Sequence, residues 1–330
     1  MATLVLMAPE TILPHQPTTI QPACGTRKAT AARYLSRRPP PTGLTESVIT
    51  GTQRVVRPPI TSIHTTDLPG RSMNTALVTS RSAKITTERP FYDLHADAYD
   101  ALITDPVQPW VDAVDDRLRA AGLSSASVLD AGCGTGRHAQ ALLERGHRVS
   151  LLDASPRLLT IASSRCPGSS AHQTDICAPK LRETFEAIMC RGVLNDLVLD
   201  EERDAALGSF AALLGDNGLL FLDVREIVET RQRADGQWRR TEAALDGGET
   251  LKFASRPLWR ADRLVVEERY ELVGRDGSSS VHDYVFEMRP WTRDELTARL
   301  TAAGFSDIGT VQGVGRRTPD RLFVTARRPV

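Results

Sequence analysis

Val128-Leu-Asp-Ala-Gly-Cys-Gly-Thr-Gly136 is the stretch on which the reading of this 330-residue chain turns. It opens with apolar residues after a serine-rich loop (Ser124, Ser125, Ser127), as a short buried strand does. Three glycines then stand at alternate positions, Gly132, Gly134 and Gly136. An amphipathic helix is expected next, with Ala139, Leu142 and Leu143 on one face and Arg137, Gln140, Glu144 and Arg145 on the other. A strand, a glycine turn and a helix in that order let backbone approach a bound molecule closely, because no Cβ stands in the way.

Two cofactor classes use such a turn, and spacing separates them. A dinucleotide fold wants Gly-x-Gly-x-x-Gly or Ala, where the third small residue lets helix and strand pack. Counted from Gly132, that position holds Arg137. The alternate glycines, preceded by Asp130, instead resemble the first motif of the class I S-adenosylmethionine-dependent methyltransferases. The resemblance implies that Asp130, Gly132, Cys133, Gly134 and Gly136 border that cofactor.

Further signals fall at matching distances. Arg148 to Asp153 reads as a second buried strand ending in an acid, and Ser155-Pro156 as the N-cap and first residue of a helix. An acid at that strand end is placed to accept hydrogen bonds from both ribose hydroxyls. Asp153, with Ala154 beside it, is therefore expected at the nucleoside; dehydrogenases use an acid here too, so it does not choose the cofactor. The resemblance assigns Asp175 to the adenine amino group and the Ile176 backbone to the ring. Phe185 to Cys190 reads as a fourth strand, whose end at Cys190 faces the transferring methyl in the family. Asn195 and Asp196 follow, suited to substrate contact or to capping the next helix, from about Glu201. The Asn/Asp-Pro-Pro-Tyr/Phe signature of adenine methylation and the Pro-Cys of pyrimidine methylation do not occur in the chain.

Glu202 to Leu214 has helical periodicity, Asp216-Asn217-Gly218 is a turn signal, and Leu219 to Val224 reads as a fifth strand. From about 237 to 290, turn signals at Asp246-Gly247-Gly248, Ala261-Asp262 and Asp276-Gly277 separate runs of strand character, so three or four inserted antiparallel strands are expected. His282 and Tyr284 alternate onto one face with Phe286 and Met288. If that face looks into the site, His282 is a candidate base and Tyr284 a cation–π or hydrogen-bonding wall; if it packs on the core, neither is. Trp291-Thr292-Arg-Asp-Glu295 opens the last helix with a capping box, Gly304 closes it, and two strands, Phe305 to Val311 and Arg321 to Ala326, finish the sheet. Near the front, Tyr92 and Tyr99 lie seven apart, on one helical face, in a segment resembling the family's leader helix over the cofactor.

The expected fold class is α/β: a doubly wound, Rossmann-like methyltransferase sheet, parallel with an antiparallel closing strand, plus an inserted antiparallel sheet. Residues 89–330 form that domain. Residues 1–88, rich in Pro, Ser, Thr and Arg with only four acids, read as a disordered basic extension. A plain tail, a start assigned upstream of Met73 and a targeting peptide are its three readings. The formal net charge of zero carries no global signature for nucleic acid or an anionic membrane surface. Five scattered cysteines without metal-ligand spacing point to a reducing, cytoplasmic setting and to no metal site. The function expected is methyl transfer from S-adenosylmethionine to a small-molecule acceptor, nitrogen ahead of oxygen. The resemblance is closest to the glycine and amino-sugar N-methyltransferases. O-methylation of a small metabolite and an inactive cofactor-binding subunit are the alternatives, with an NAD-dependent dehydrogenase behind them.

Overall fold

A computed structural model describes residues 92, 95–245 and 247–330, and all of them belong to one compact unit. The calls on residues 1–88, and on Phe91 within the leader segment, lie outside the described residues.

Strand β1 (Ser127–Ala131) runs into the glycine turn, and α3 (Arg137–Leu143) follows two earlier helices, α1 (Ala96–Leu102) and α2 (Gln108–Ala120). Then come β2 (Arg148–Asp153), α4 (Pro156–Arg165), β3 (Ala171–Gln173), β4 (Phe185–Arg191), α5 (Asp200–Leu213) and β5 (Leu214–Arg225). Helix α6 (Ile227–Arg233) leads to four strands, β6 (Arg239–Ala244), β7 (Thr250–Arg260), β8 (Arg263–Val273) and β9 (Ser279–Met288). Helix α7 (Arg293–Ala302), β10 (Ser306–Gln312) and β11 (Arg321–Arg327) close the chain.

The main sheet has the order β10-β11-β5-β4-β1-β2-β3. Strands β1 to β5 are parallel, while β11 runs antiparallel to both β5 and β10. Strand parity decides which face each apolar residue serves. Leu129, Ile188, Leu220 and Leu222 pack with Leu207 and Phe210 of α5 and with Trp291, whereas Val128, Met189 and Phe221 pack with Trp110, Val114 and Leu118 of α2. Trp110 meets Phe323 edge-on at 4.8 Å. Both faces are thus covered, as a parallel sheet requires. The strand order reverses between β1 and β4, and that is where a crevice opens outside the carboxyl ends of the strands.

The expected inserted sheet is present, in the order β6-β7-β8-β9. Its face carrying Leu251, Tyr270 and Phe253 packs against Ala98 and Leu102 of α1. Three local readings need correction. The turn expected at Asp216-Asn217-Gly218 is absorbed into β5, as a register shift in which Phe185 pairs with Leu214 and Ala187 with Leu219. Asn217 takes φ 60° there. Helix α6 was not foreseen; its seven residues are too few for a clear period, and its start is set by the Glu226 carboxylate accepting from Glu229 N–H. Asn195 and Asp196 do not cap α5. Its N-cap is Leu199, whose N–H donates to the Glu202 carboxylate.

Candidate active site

The site begins with conformations that side chains disfavour. Gly132, Gly134 and Gly136 all have positive φ, at 77°, 55° and 78°. A Cβ on Gly132 would lie 2.3 Å from the Val193 side chain, and one on Gly136 would lie 3.0 Å from Ala162 of α4. The first glycine thus lets the β4 loop close against the turn, and the third lets α4 close against it. Arg137, the residue that argues against a dinucleotide turn, donates to the Ile103 carbonyl and ties the segment after α1 to the turn.

Asp153 leaves β2 fully buried and holds this geometry. One carboxylate oxygen accepts from Gly134 N–H and the other from Ser155 N–H, each at 2.9 Å. Ser155 in turn donates from its hydroxyl to the Tyr92 carbonyl and accepts from Leu158 N–H. Burial lifts the Asp153 carboxyl to about 6 in spite of the backbone donors. Asp130, one strand over, is lifted to about 8 by burial and by the Asp153 charge, with Arg191 opposing. Two neighbouring carboxyl groups raised by burial mark the carboxyl ends of β1 and β2 as a candidate functional site.

A cavity of about 380 Å³ lies over these residues. Tyr92, Gly132, Gly134, Asp153, Ala154, Asp175 and Ile176 line it, all of them expected at the cofactor. Asp130, Cys133, Gly136 and Cys190 do not line it. Asp130 and Cys190 are buried within the strands, and both thiols are pushed well above their ordinary range by burial. The Tyr99 side chain lies outside the described residues. His282 and Tyr284 do not line the cavity either: His282 is exposed, 6.0 Å from the His95 ring, and Tyr284 stacks on Phe286. From that face of β9, Met288 reaches the cavity.

The other half of the cavity is polar and was not assembled from sequence. Leu102 to Asp105, Arg191 to Val193, Asp196, Arg225, Arg316 and Arg321 line it. Burial would raise Asp223, but Arg321 and Arg316, then Arg191, hold it below the usual carboxylate range. Arg316 also bonds Asp105, and Arg225 pairs with Asp320. No pattern marks such a cluster in one dimension, because its members come from four distant segments. The signals available were Asp196, after the fourth strand, and a strand ending in an acid, at Asp223. Among the described residues there is no cluster of His, Cys, Asp and Glu fit to hold a metal, and no helix long and apolar enough to cross a membrane.

A cofactor with an amino-acid tail and a nucleoside fits these residues. Gly132 and Gly134 bring bare backbone to the cavity wall, Asp153 stands beside them, and the cavity volume suits a small molecule. Comparison with known proteins agrees. Residues 128–218 match a methyltransferase domain family. The chain is 29% identical over 183 residues to the dTDP-3-amino-3,6-dideoxy-alpha-D-glucopyranose N,N-dimethyltransferase of Streptomyces fradiae, covering 55% of this chain and 71% of that one. It is 27% identical over 216 residues to the dTDP-3-amino-3,4,6-trideoxy-alpha-D-glucopyranose N,N-dimethyltransferase of Streptomyces venezuelae, covering 64% and 89%. Among solved structures, S-adenosylmethionine-bound CalS10, an amino pentose methyltransferase from Micromonospora echinaspora, superposes with a TM-score of 0.60 at 29% identity, over 72% of this chain and 97% of that one.

Proposed function

We propose that this chain, a class I S-adenosylmethionine-dependent methyltransferase, methylates an amine nitrogen of a small molecule, with amino sugars the first acceptor class. The observation that carries the acceptor class is the shared sequence with two amino-sugar N,N-dimethyltransferases, reaching over 71% and 89% of their lengths. A cavity of about 380 Å³, bordered by Leu102 at the end of α1 and by Met288 of the inserted sheet, supports a compact acceptor rather than a polymer.

S-adenosylmethionine, when bound, supplies a methyl carbon activated by the adjoining sulfonium. The protein's part is to hold, align and dry the site. In this reading Asp153 takes the ribose hydroxyls, Asp175 and the Ile176 backbone take the adenine, and the Gly132–Gly134 backbone lies along the amino-acid tail. Asp153, ionised above about pH 6, supplies negative charge on the cavity wall that complements a cationic cofactor. Tyr92 and Leu102 to Asp105 border the cavity and help to exclude water. An amine acceptor must present a lone pair, which a desolvating pocket favours by lowering the amine pKa. We place the protein in the cytoplasm, where the cofactor is made and where five scattered cysteines are at home.

The test is turnover of S-adenosylmethionine by the full chain with matched acceptors: a nucleotide-linked amino sugar, the same sugar bearing hydroxyl in place of amine, and glycine. Methylation of the amino sugar alone is expected. Turnover only with the hydroxyl sugar would replace N- by O-methylation, and cofactor binding without turnover of any acceptor would favour an inactive subunit.

A further inference from the structure

We propose that Asp196 is the catalytic residue that faces the accepting nitrogen, holding its N–H groups and stabilising the positive charge that arises on it. This rests on the reading of the acceptor as an amine. Asp196 lines the cavity and is 6% exposed. Its place follows from the sheet order β5-β4-β1-β2-β3. The acids assigned to the nucleoside leave β2 and β3, and the glycine turn for the amino-acid tail leaves β1. The reacting carbon therefore falls at the border of β1 and β4, where Val193 packs on Gly132. Asp196 lies three residues beyond Val193, at the end of a turn closed by its own N–H to the Val193 carbonyl at 2.9 Å.

The loop carrying it is unusually fixed. Asn195, fully buried, donates from its side-chain amide to the Gly192 carbonyl and accepts from Arg225 N–H at 2.7 Å. The Asn195 carbonyl accepts from Arg289 N–H, and the Leu194 carbonyl from the Trp291 indole. A carboxylate on a loop anchored to β5 and to the segment before α7 is held in place without reorganisation, as electrostatic stabilisation of a transition state needs.

In the step itself, the amine lone pair forms the new N–C bond as the C–S bond breaks, and that electron pair stays on sulfur. The positive charge thereby passes from sulfur to nitrogen, toward Asp196. The surplus N–H proton leaves to solvent with the product.

Two cofactor analogues test this without knowing the acceptor. Sinefungin carries an ammonium where the transferable methyl stands, and S-adenosylhomocysteine carries nothing there. Calorimetry on the full chain should find sinefungin bound about ten-fold more tightly than S-adenosylhomocysteine. Asp196→Asn should keep S-adenosylhomocysteine affinity and lose that preference, and Asp196→Glu should retain most of it. Asp196→Ser gives the same reading should Asp196→Asn fail to fold. An unchanged preference in Asp196→Asn, or none in the wild type, would overturn the proposal. So would equal weakening of both ligands, which would put the carboxylate on the cofactor's own α-ammonium. The amine reading fails separately, by methylation of the hydroxyl sugar alone, so the two failures are distinguishable.

Discussion

Asp153 and Asp130 are where single side chains are most exposed to a pH test. Asp153 is lifted to about 6, so its carboxylate, the better acceptor for ribose hydroxyls, is lost below that pH. S-adenosylhomocysteine affinity should fall as pH drops through 6, and Asp153→Ala should cost roughly 1.5–3 kcal/mol at pH 7.5, both by calorimetry. Asp130 gives the opposite sign in stability. An unfolded aspartate titrates near 3.9, but the folded residue keeps its proton to about 8. Between those values the native state binds more protons than the unfolded chain, so stability declines as pH rises, by up to about 1.4 kcal/mol per pH unit. Asp130→Asn should therefore raise the melting temperature more at pH 8 than at pH 5, by roughly 2–4 °C per kcal/mol gained; a loss at pH 8 would refute the buried, protonated state. Gly132→Ala meets two separate penalties, a φ of 77° and a Val193 atom at 2.3 Å. Overpacking of this kind costs about 1–3 kcal/mol. Val193→Ala in the same chain should restore that portion of the stability and leave the backbone strain, as denaturant melts would resolve.

At the scale of elements, the regular pieces were legible where sequence carried a local cause. Ser155 accepts from Leu158 N–H with Pro156 at the first helical position, as the Ser-Pro pair implied. Thr292 likewise accepts from Glu295 N–H at 2.9 Å. Its reciprocal partner was misjudged, because Glu295 reaches Arg203, Arg289 and Arg299 instead. Arg203 lies fully buried over Trp291 at 3.7 Å, and burial pushes its guanidinium down to about 9 even beside Glu295. Thr292→Ala should cost about 1 kcal/mol. Asn195→Ala should cost about 1–3 kcal/mol, because it removes two bonds inside the fold and leaves the Arg225 N–H unmatched. It should also weaken sinefungin more than S-adenosylhomocysteine, since it loosens the loop that carries Asp196. Equal effects on the two ligands would show that the loop merely supports the fold.

For the whole molecule, the prediction is that a chain beginning at Met73 binds S-adenosylhomocysteine as the full chain does, measured side by side. A tenfold loss would assign the earlier residues a part in binding. Taken by itself, the sequence determined the parallel sheet, its glycine turn, the inserted antiparallel strands and seven residues that line one half of the cavity. Those features have local causes: a period of two or 3.6, a cap, a turn residue, an acid at a strand end. It did not reveal which face of β9 meets the cavity, nor that His282 stands away from it while Met288 enters. Alternation gives a strand two faces but not the identity of what covers them, and here α1 covers one. Nor did it reveal the charged half, where Asp105, Arg191, Arg225, Arg316 and Arg321 converge with Asp196, the one member the sequence had singled out. Tertiary structure alone decided that half. The order β10-β11-β5-β4 brings Asp223 and Arg321, 98 residues apart, into one crevice, and only there do their charges find each other.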